Sequence, residues 1–219
     1  MSSVVALPHE SKIYSTFSNL YDVIFTRVFF PRIRDVLRSL NIPAGATVLE
    51  VGVGTGLSVE AYPRHCHVTA VDLAPEMLEQ ARRKCQELGI SHIDLQVGDA
   101  QNLRFEDDSF DYVTSFHVIS VVPDAGRMLA EMVRICRPGG TIVLINHFRS
   151  PRRWIARVVD RVDPITRHLG WRTTLGLDGL FRQSGLDIVE RYKTSSRSLF
   201  TVVVARKPQR ARAASAAAG

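Results

Sequence analysis

The sequence predicts an α/β fold built on one mostly parallel, seven-stranded sheet with helices on both faces and an antiparallel hairpin at its edge. Three observations predict it. Five short apolar runs (Thr47 to Val51, Val68 to Val71, Ile93 to Val97, Tyr112 to Phe116, Thr141 to Ile145) alternate with helical patterns, and strands joined by helical crossovers lie parallel. The first run ends in a glycine-rich turn, Gly52-Val53-Gly54-Thr55-Gly56. Two further runs, Leu186 to Arg191 and Leu199 to Val204, follow a helix that Gly185 ends and lie near enough in the chain to pair as a hairpin.

Taken in order, Glu10 to Leu40 carries Tyr14, Phe17, Leu20, Tyr21, Ile24, Phe25 and Phe29 on helical spacings, with Pro31 expected to break the helix. After the glycine turn, which is expected to open a helix, Pro75 starts a helix that turns Met77, Leu78 and Ala81 inward. Asp124 is the expected cap of a helix running to Ile135, and Arg137-Pro138-Gly139-Gly140 reads as a break before the fifth strand. The organisation is one domain over residues 1–205, with a helical cap over 1–45, a core over 46–205 and a basic amphipathic insertion at 149–172. Residues 206–219, basic and alanine-rich with little to bury, are expected to be disordered.

Composition narrows the function classes. With 219 residues, 45% hydrophobic and 23% charged, the chain has an ordinary globular core and is neither collagen-like nor disordered. No apolar run is long enough to span a bilayer and Met1 to Glu10 lacks a signal-peptide pattern, so a cytoplasmic location is expected. Cys66, Cys85 and Cys136 are scattered without metal-site or disulfide-framework spacing, so no metal is expected. A net charge of +6 favours an anionic partner without choosing between nucleic acid and a membrane face.

The glycine turn carries the chemistry. Its glycines permit positive φ angles and let a ligand lie directly on the backbone, which leaves no room for side chains there. A dinucleotide fingerprint would need glycine at Leu57, and no phosphate-cradling Gly-x-x-x-x-Gly-Lys-Ser/Thr occurs. Acidic residue, then Gly-x-Gly-x-Gly, with Asp72 closing the second strand and Asp99 following the third, resembles the class I S-adenosylmethionine-dependent methyltransferases, whose core is Rossmann-like. The resemblance implies S-adenosylmethionine as cofactor and S-adenosylhomocysteine as product. It places Glu50, Gly52, Gly54, Gly56, Asp72, Leu73, Met77, Asp99, Ala100, Phe116, His117 and Tyr14 around the cofactor, Asp72 on the ribose hydroxyls and Asp99 on the adenine side.

A closer resemblance is to bacterial phosphatidylethanolamine N-methyltransferases. It is carried by Leu20-Tyr21-Asp22, the glycine turn, Val118-Ile119-Ser120-Val121-Val122-Pro123, Arg137-Pro138-Gly139-Gly140, Asn146-His147 and Gly170-Trp171-Arg172. After Arg172 the chain departs from that pattern, reading Thr173-Thr174-Leu175-Gly176 where proline and aromatic residues would stand. What it implies is a phospholipid N-methyltransferase working towards phosphatidylcholine, a monomer held peripherally on the inner face of the membrane. Tyr21, Asn146 and His147 would surround the reacting nitrogen, and Trp171 and Arg172, with Tyr21, would bind the lipid. The Asp/Asn-Pro-Pro-Tyr/Phe motif of base-modifying enzymes is missing, which disfavours nucleic acid.

Charge patterning agrees independently. From Arg149 to Arg172 there are seven arginines against two aspartates, and Arg153, Arg157 and Arg161 form an i, i+4 stripe beside Trp154 and neighbouring aliphatic residues. Such a helix can lie among anionic headgroups; a solvated arginine face over an ordinary packed helix is the plainer reading. Two alternatives stay open: a methyltransferase for a soluble or quinone-like small molecule, and a catalytically silent cofactor-binding partner protein.

Overall fold

The structure is a computed structural model and describes residues 29–147, 176–193, 198 and 200–209. Residues 29–39 are helical (α1), with Pro31 inside the helix rather than breaking it. The strands are β1 (Thr47–Val51), β2 (His67–Asp72), β3 (Ile93–Val97), β4 (Phe110–Phe116), β5 (Cys136–His147), β6 (Asp187–Lys193) and β7 (Phe200–Arg206). The remaining helices among the described residues are α2 (Pro75–Glu87), α3 (Ala125–Ile135) and α4 (Leu177–Arg182).

These strands form one sheet in the order β3-β2-β1-β4-β5-β7-β6, parallel from β3 to β5 and antiparallel at β5–β7 and β7–β6. The chain fills one side of β1 with β2 and β3, then returns to lay β4 on the other side. The order therefore reverses between β1 and β4, and their carboxyl ends flank the crevice where open α/β sheets take ligands.

Both faces of the sheet are covered, which is why its inner strands read as continuous apolar runs. Leu49, Val51, Val113, Ile142 and Leu144 pack with Met128, Leu129 and Met132 of α3 and with Phe181 of α4. On the other face, Val48, Val68, Val143 and Ile145 pack with Ile33, Val36 and Leu37 of α1. Ala70 and Val53 meet Leu78 and Cys85 of α2 on that same side. Cys66, Cys85 and Cys136 are free and buried, one in each of these clusters. Pro75 opens α2 and the Asp124 side chain caps α3 by accepting from the Arg127 amide at 3.0 Å. Leu78 and Ala81 point inward as expected, whereas Met77 is only half-buried.

Three expectations are corrected. No α-helix follows the glycine turn; a single 3-10 turn, Val59–Ala61, stands there. Gly54 and Gly56 both hold positive φ, and Tyr62, ahead of Pro63, is extended at ψ 137, so too few residues between them can take helical angles. Arg137–Gly140 does not precede β5 but belongs to it. Cys136 pairs with Phe110 and Thr141 with Tyr112, so the four residues between them bulge opposite the single Asp111, whose carboxylate accepts from Arg137 at 2.7 Å. Gly140 is required there, since a Cβ would lie 2.8 Å from the Arg137 carbonyl and 2.9 Å from that of Asp111. Finally, order extends past Ala205: β7 ends at Arg206, and the Lys207 ammonium donates to Asp108 at 2.6 Å and to the carbonyls of Val133 and Cys136 at 2.9 and 2.8 Å, tying off the end of α3.

Candidate active site

Five chain segments converge at the carboxyl ends of the parallel strands: the turn after β1, Asp72 and Leu73 after β2, Gly98 to Ala100 after β3, His117 to Ser120 after β4, and Asn146 at the end of β5. The β1 turn hangs on the Val71 carbonyl, which accepts from the amides of Gly52 (2.8 Å) and Val53 (3.0 Å).

Its three glycines have positive φ and three different jobs. A Cβ on Gly52 would overlap the Val118 side chain, so here the close approach is between the β1 and β4 loops. A Cβ on Gly56 would sit 3.0 Å from the Ala81 Cβ, so this glycine lets α2 close on the turn. Only Gly54 faces open space, with nothing within 4 Å of where its Cβ would be. At Gly52 and Gly56 protein atoms already leave no room for a side chain, and Gly54 presents bare backbone outward.

Asp72 links this turn to β2. One carboxylate oxygen accepts from the Gly54 amide at 2.8 Å and the other from the Ala74 amide at 3.0 Å. Each carboxylate oxygen can accept twice, so one acceptor position on each is left over, the requirement for holding a vicinal diol. Beside it, Leu73 is 68% exposed and, in register with Asp72, Val97 is 60% exposed, two apolar side chains at the mouth of the site. Asp99 sits in a tight turn, one oxygen accepting from the Gln101 amide at 2.8 Å, with half-buried Ala100 next to it. Bare backbone at Gly54, a carboxylate with an acceptor position left on each oxygen and an apolar rim fit the donor set and shape of a nucleoside cofactor.

Glu50 is placed differently from the expectation that it touches cofactor. It is 2% exposed, on the face of β1 beneath the turn, with the Ser58 hydroxyl 2.7 Å from both carboxylate oxygens. Thr114 is its neighbour across the sheet and bonds the Tyr62 hydroxyl at 2.7 Å. Burial pushes the Glu50 carboxyl up to about 7, against the lowering effect of hydrogen bonds from Ser58 and Tyr62, with the Asp72 charge adding to the rise. A carboxyl sealed in this way braces the turn instead of meeting a ligand. Phe116 is likewise nearly sealed, packed in the core on the α1 side.

After β4, His117 has φ 64, an uncommon conformation outside glycine, and its amide donates to the Ile145 carbonyl at 2.7 Å. Its ring packs edge-on against Phe29 and Phe200 at 4.4 and 4.8 Å between centroids. Burial, with a smaller contribution from the Arg32 charge, lowers its pKa to about 4. Three residues on, the Ser120 hydroxyl donates to the Asn146 side-chain oxygen at 3.1 Å, fixing a 3% exposed amide at the end of β5. His147 follows it in β5, opposite Phe200. Tyr14, Tyr21, Arg153, Trp154, Arg157, Arg161, Trp171 and Arg172 lie outside the described residues.

Sequence reasoning missed the supporting residues. Ser58 and Tyr62 brace Glu50, Val118 covers Gly52, Ser120 holds Asn146, and Phe29 and Phe200 enclose His117. Val118, Ser120 and Phe29 stood in the sequence as parts of a motif or a helical pattern, but their contacts come from the pairing of distant strands, as do those of Ser58, Tyr62 and Phe200.

Comparison with known proteins agrees with the geometry. The profile of the Methyltransferase domain matches residues 49–144, which spans β1 to β5. A phosphatidylethanolamine N-methyltransferase of Cereibacter sphaeroides is 37% identical over 183 residues, covering 83% of this chain and 90% of that protein. A demethylmenaquinone methyltransferase of Oceanobacillus iheyensis is 35% identical over 147 residues, 62% of each chain. The crystal structure of an S-adenosylmethionine-dependent methyltransferase from Aquifex aeolicus superposes with a TM-score of 0.66 at 17% identity, covering 88% of this chain and 97% of that one, a likeness of fold. With a crevice at the strand reversal, bare backbone at Gly54 and Asp72 poised for a diol, the chain belongs to the class I S-adenosylmethionine-dependent methyltransferases.

Proposed function

We propose that the chain methylates the amine of phosphatidylethanolamine, or of its partly methylated derivatives, at a membrane surface, towards phosphatidylcholine. The observation that carries this reading is the 37% identity to a phosphatidylethanolamine N-methyltransferase over 183 residues and 90% of that protein, a longer match than the domain profile at 49–144. The charge pattern of Arg149 to Arg172, seven arginines against two aspartates in the chain after β5, supports it. No described helix is long and apolar enough to cross a membrane, which agrees with attachment from one side, on the inner face as we propose.

The bound cofactor supplies an electrophilic methyl group on a positively charged sulfur. The chain's own task is then to hold a neutral nitrogen lone pair in line with it and keep water away, so positioning accounts for most of the rate. A primary amine titrates near ~10.4 and must lose a proton on binding. Asn146, held by Ser120, would orient the nitrogen and His147 would receive the proton; Tyr14 and Tyr21 would add aromatic faces, and Trp171 and Arg172 would hold the lipid phosphate. The likeness to a demethylmenaquinone methyltransferase favours a second reading, a quinone-like acceptor, over 62% of this chain.

The test is transfer from radiolabelled S-adenosylmethionine to a panel of phospholipids, quinones and RNA. Label in the phosphatidylethanolamine fraction supports the reading. Label confined to the quinone fraction would replace it with the second, and none in any fraction would favour a silent partner protein.

A further inference from the structure

His117 combines three features that the cofactor site does not use. Its backbone is held at φ 64, a conformation that costs a non-glycine residue energy and persists where the surroundings impose it. The residue is largely buried, and its Nε2 is sealed from solvent with no hydrogen-bond partner among the described residues. An orphaned buried polar atom is costly and is rare in native proteins unless a ligand or water completes it. The ring also stands in a fixed place. Phe29 and Phe200 pack against it edge-on and against each other at 4.9 Å, and the Arg32 guanidinium lies 5.9 Å from the Phe200 centroid. The next residue, Val118, covers Gly52, and the His117 amide donates to the carbonyl of Ile145, the residue before Asn146, so His117 stands at the strand reversal between the β1 turn and the end of β5.

We propose that His117 is an acceptor-binding residue, its Nε2 receiving a hydrogen bond from an N–H of the amine that is methylated. The inference rests on the amine-acceptor reading above and moves His117 from the cofactor side of the site to the acceptor side. The direction of the bond follows from the reaction. The amine must keep its one lone pair for the methyl carbon, so it can offer only hydrogens, and Nε2 must be the unprotonated nitrogen with the proton on Nδ1. Burial and the Arg32 charge keep this imidazole neutral at physiological pH, so the lone pair is present there and the ring is not the final proton carrier. The same Arg32 charge disfavours an ammonium beside the ring, so the site takes the amine in its neutral, nucleophilic form.

The test uses the full chain with S-adenosylhomocysteine or S-adenosylmethionine and a short-chain phosphatidylethanolamine. His117→Phe keeps an aromatic ring between Phe29 and Phe200 and removes Nε2; His117→Asn suits the positive φ and tests the same loss if the first variant does not fold. Expected is a kcat/KM for the lipid reduced about 10-fold or more, with the affinity for S-adenosylhomocysteine unchanged. In the wild type, the 15N resonance of His117 Nε2 should shift when the lipid is added to the S-adenosylhomocysteine complex. A folded variant with wild-type kcat/KM, an equal loss of S-adenosylhomocysteine affinity, or an unmoved Nε2 resonance would each overturn the proposal while the amine reading stood. A wild type that methylates no phosphatidylethanolamine would instead remove the amine reading itself, and this inference with it.

Discussion

Replacing Glu50 by glutamine should make the protein less sensitive to alkali. Glu50 is 2% exposed, and one Ser58 hydroxyl serves both of its carboxylate oxygens. Its carboxyl, with an ordinary value of 4.5, is raised to about 7 mainly by burial. In the unfolded chain it ionises near the ordinary value, while in the folded chain it keeps its proton until about pH 7. Folding therefore holds an extra proton between those two values. The stabilisation is fully present below 4.5, is lost as pH rises through about 7, and is constant above that. The gap corresponds to on the order of 3 kcal/mol. Glutamine has nearly the same shape, can still bond Ser58 and does not titrate, so any fixed cost of the substitution is the same at every pH. The assay is urea unfolding of wild type and Glu50→Gln from about pH 4.5 to about pH 8. The stability difference should move in favour of Glu50→Gln by on the order of 3 kcal/mol across that range. Two stability curves that stay parallel would refute the claim that this carboxyl is buried and protonated beneath the turn.

Gly54→Val should leave the fold standing at a cost of roughly 1–2 kcal/mol of backbone strain, since nothing surrounds the new side chain, yet abolish S-adenosylhomocysteine binding in calorimetric titration. Gly52→Ala should instead lower thermal stability, because its methyl would collide with Val118. Asp72→Ala removes the acceptor of the Gly54 and Ala74 amides as well as the diol ligand, so cofactor affinity should fall by ~1.5–3 kcal/mol, read by the same titration. Reversing Arg153, Arg157 and Arg161 to glutamate should release the protein from anionic vesicles in cosedimentation while sparing cofactor affinity; wild-type binding should weaken with salt, the contact being screened over ~8 Å.

How much of this was legible in the sequence differs from element to element. β1 and β3 match the expected residues because each is a short apolar run with turn residues at its ends. β5 starts earlier than expected because Arg137-Pro138-Gly139-Gly140 has the composition of a turn; its role as a bulge depends on Asp111 of β4, a partner that local pattern cannot reveal. The helix expected after the glycine turn failed on a similar count, since the positive φ of Gly56 and the extended Tyr62 leave only a 3-10 turn between them. At the site, Asp72 and Gly54 were legible because backbone-to-ligand contact restricts residue type sharply at a strand end. Glu50 was legible as a motif residue but not in its role, since whether an acid at a strand end faces ligand or core depends on which face its neighbours cover. Val118 and Ser120 were legible only as members of a motif and Phe200 only as part of an apolar run; their contacts with Gly52, Asn146 and His117 depend on the pairing of distant strands.

The acceptor is decided by the ratio of kcat/KM for phosphatidylethanolamine in vesicles to that for a demethylmenaquinone-type quinol, measured with the same enzyme and S-adenosylmethionine. A ratio well above one is predicted, because the likeness to the phospholipid enzyme runs along 83% of the chain and that to the quinone enzyme along 62%. A ratio well below one would contradict the claim and assign the crevice between β1 and β4 to a quinone-like acceptor.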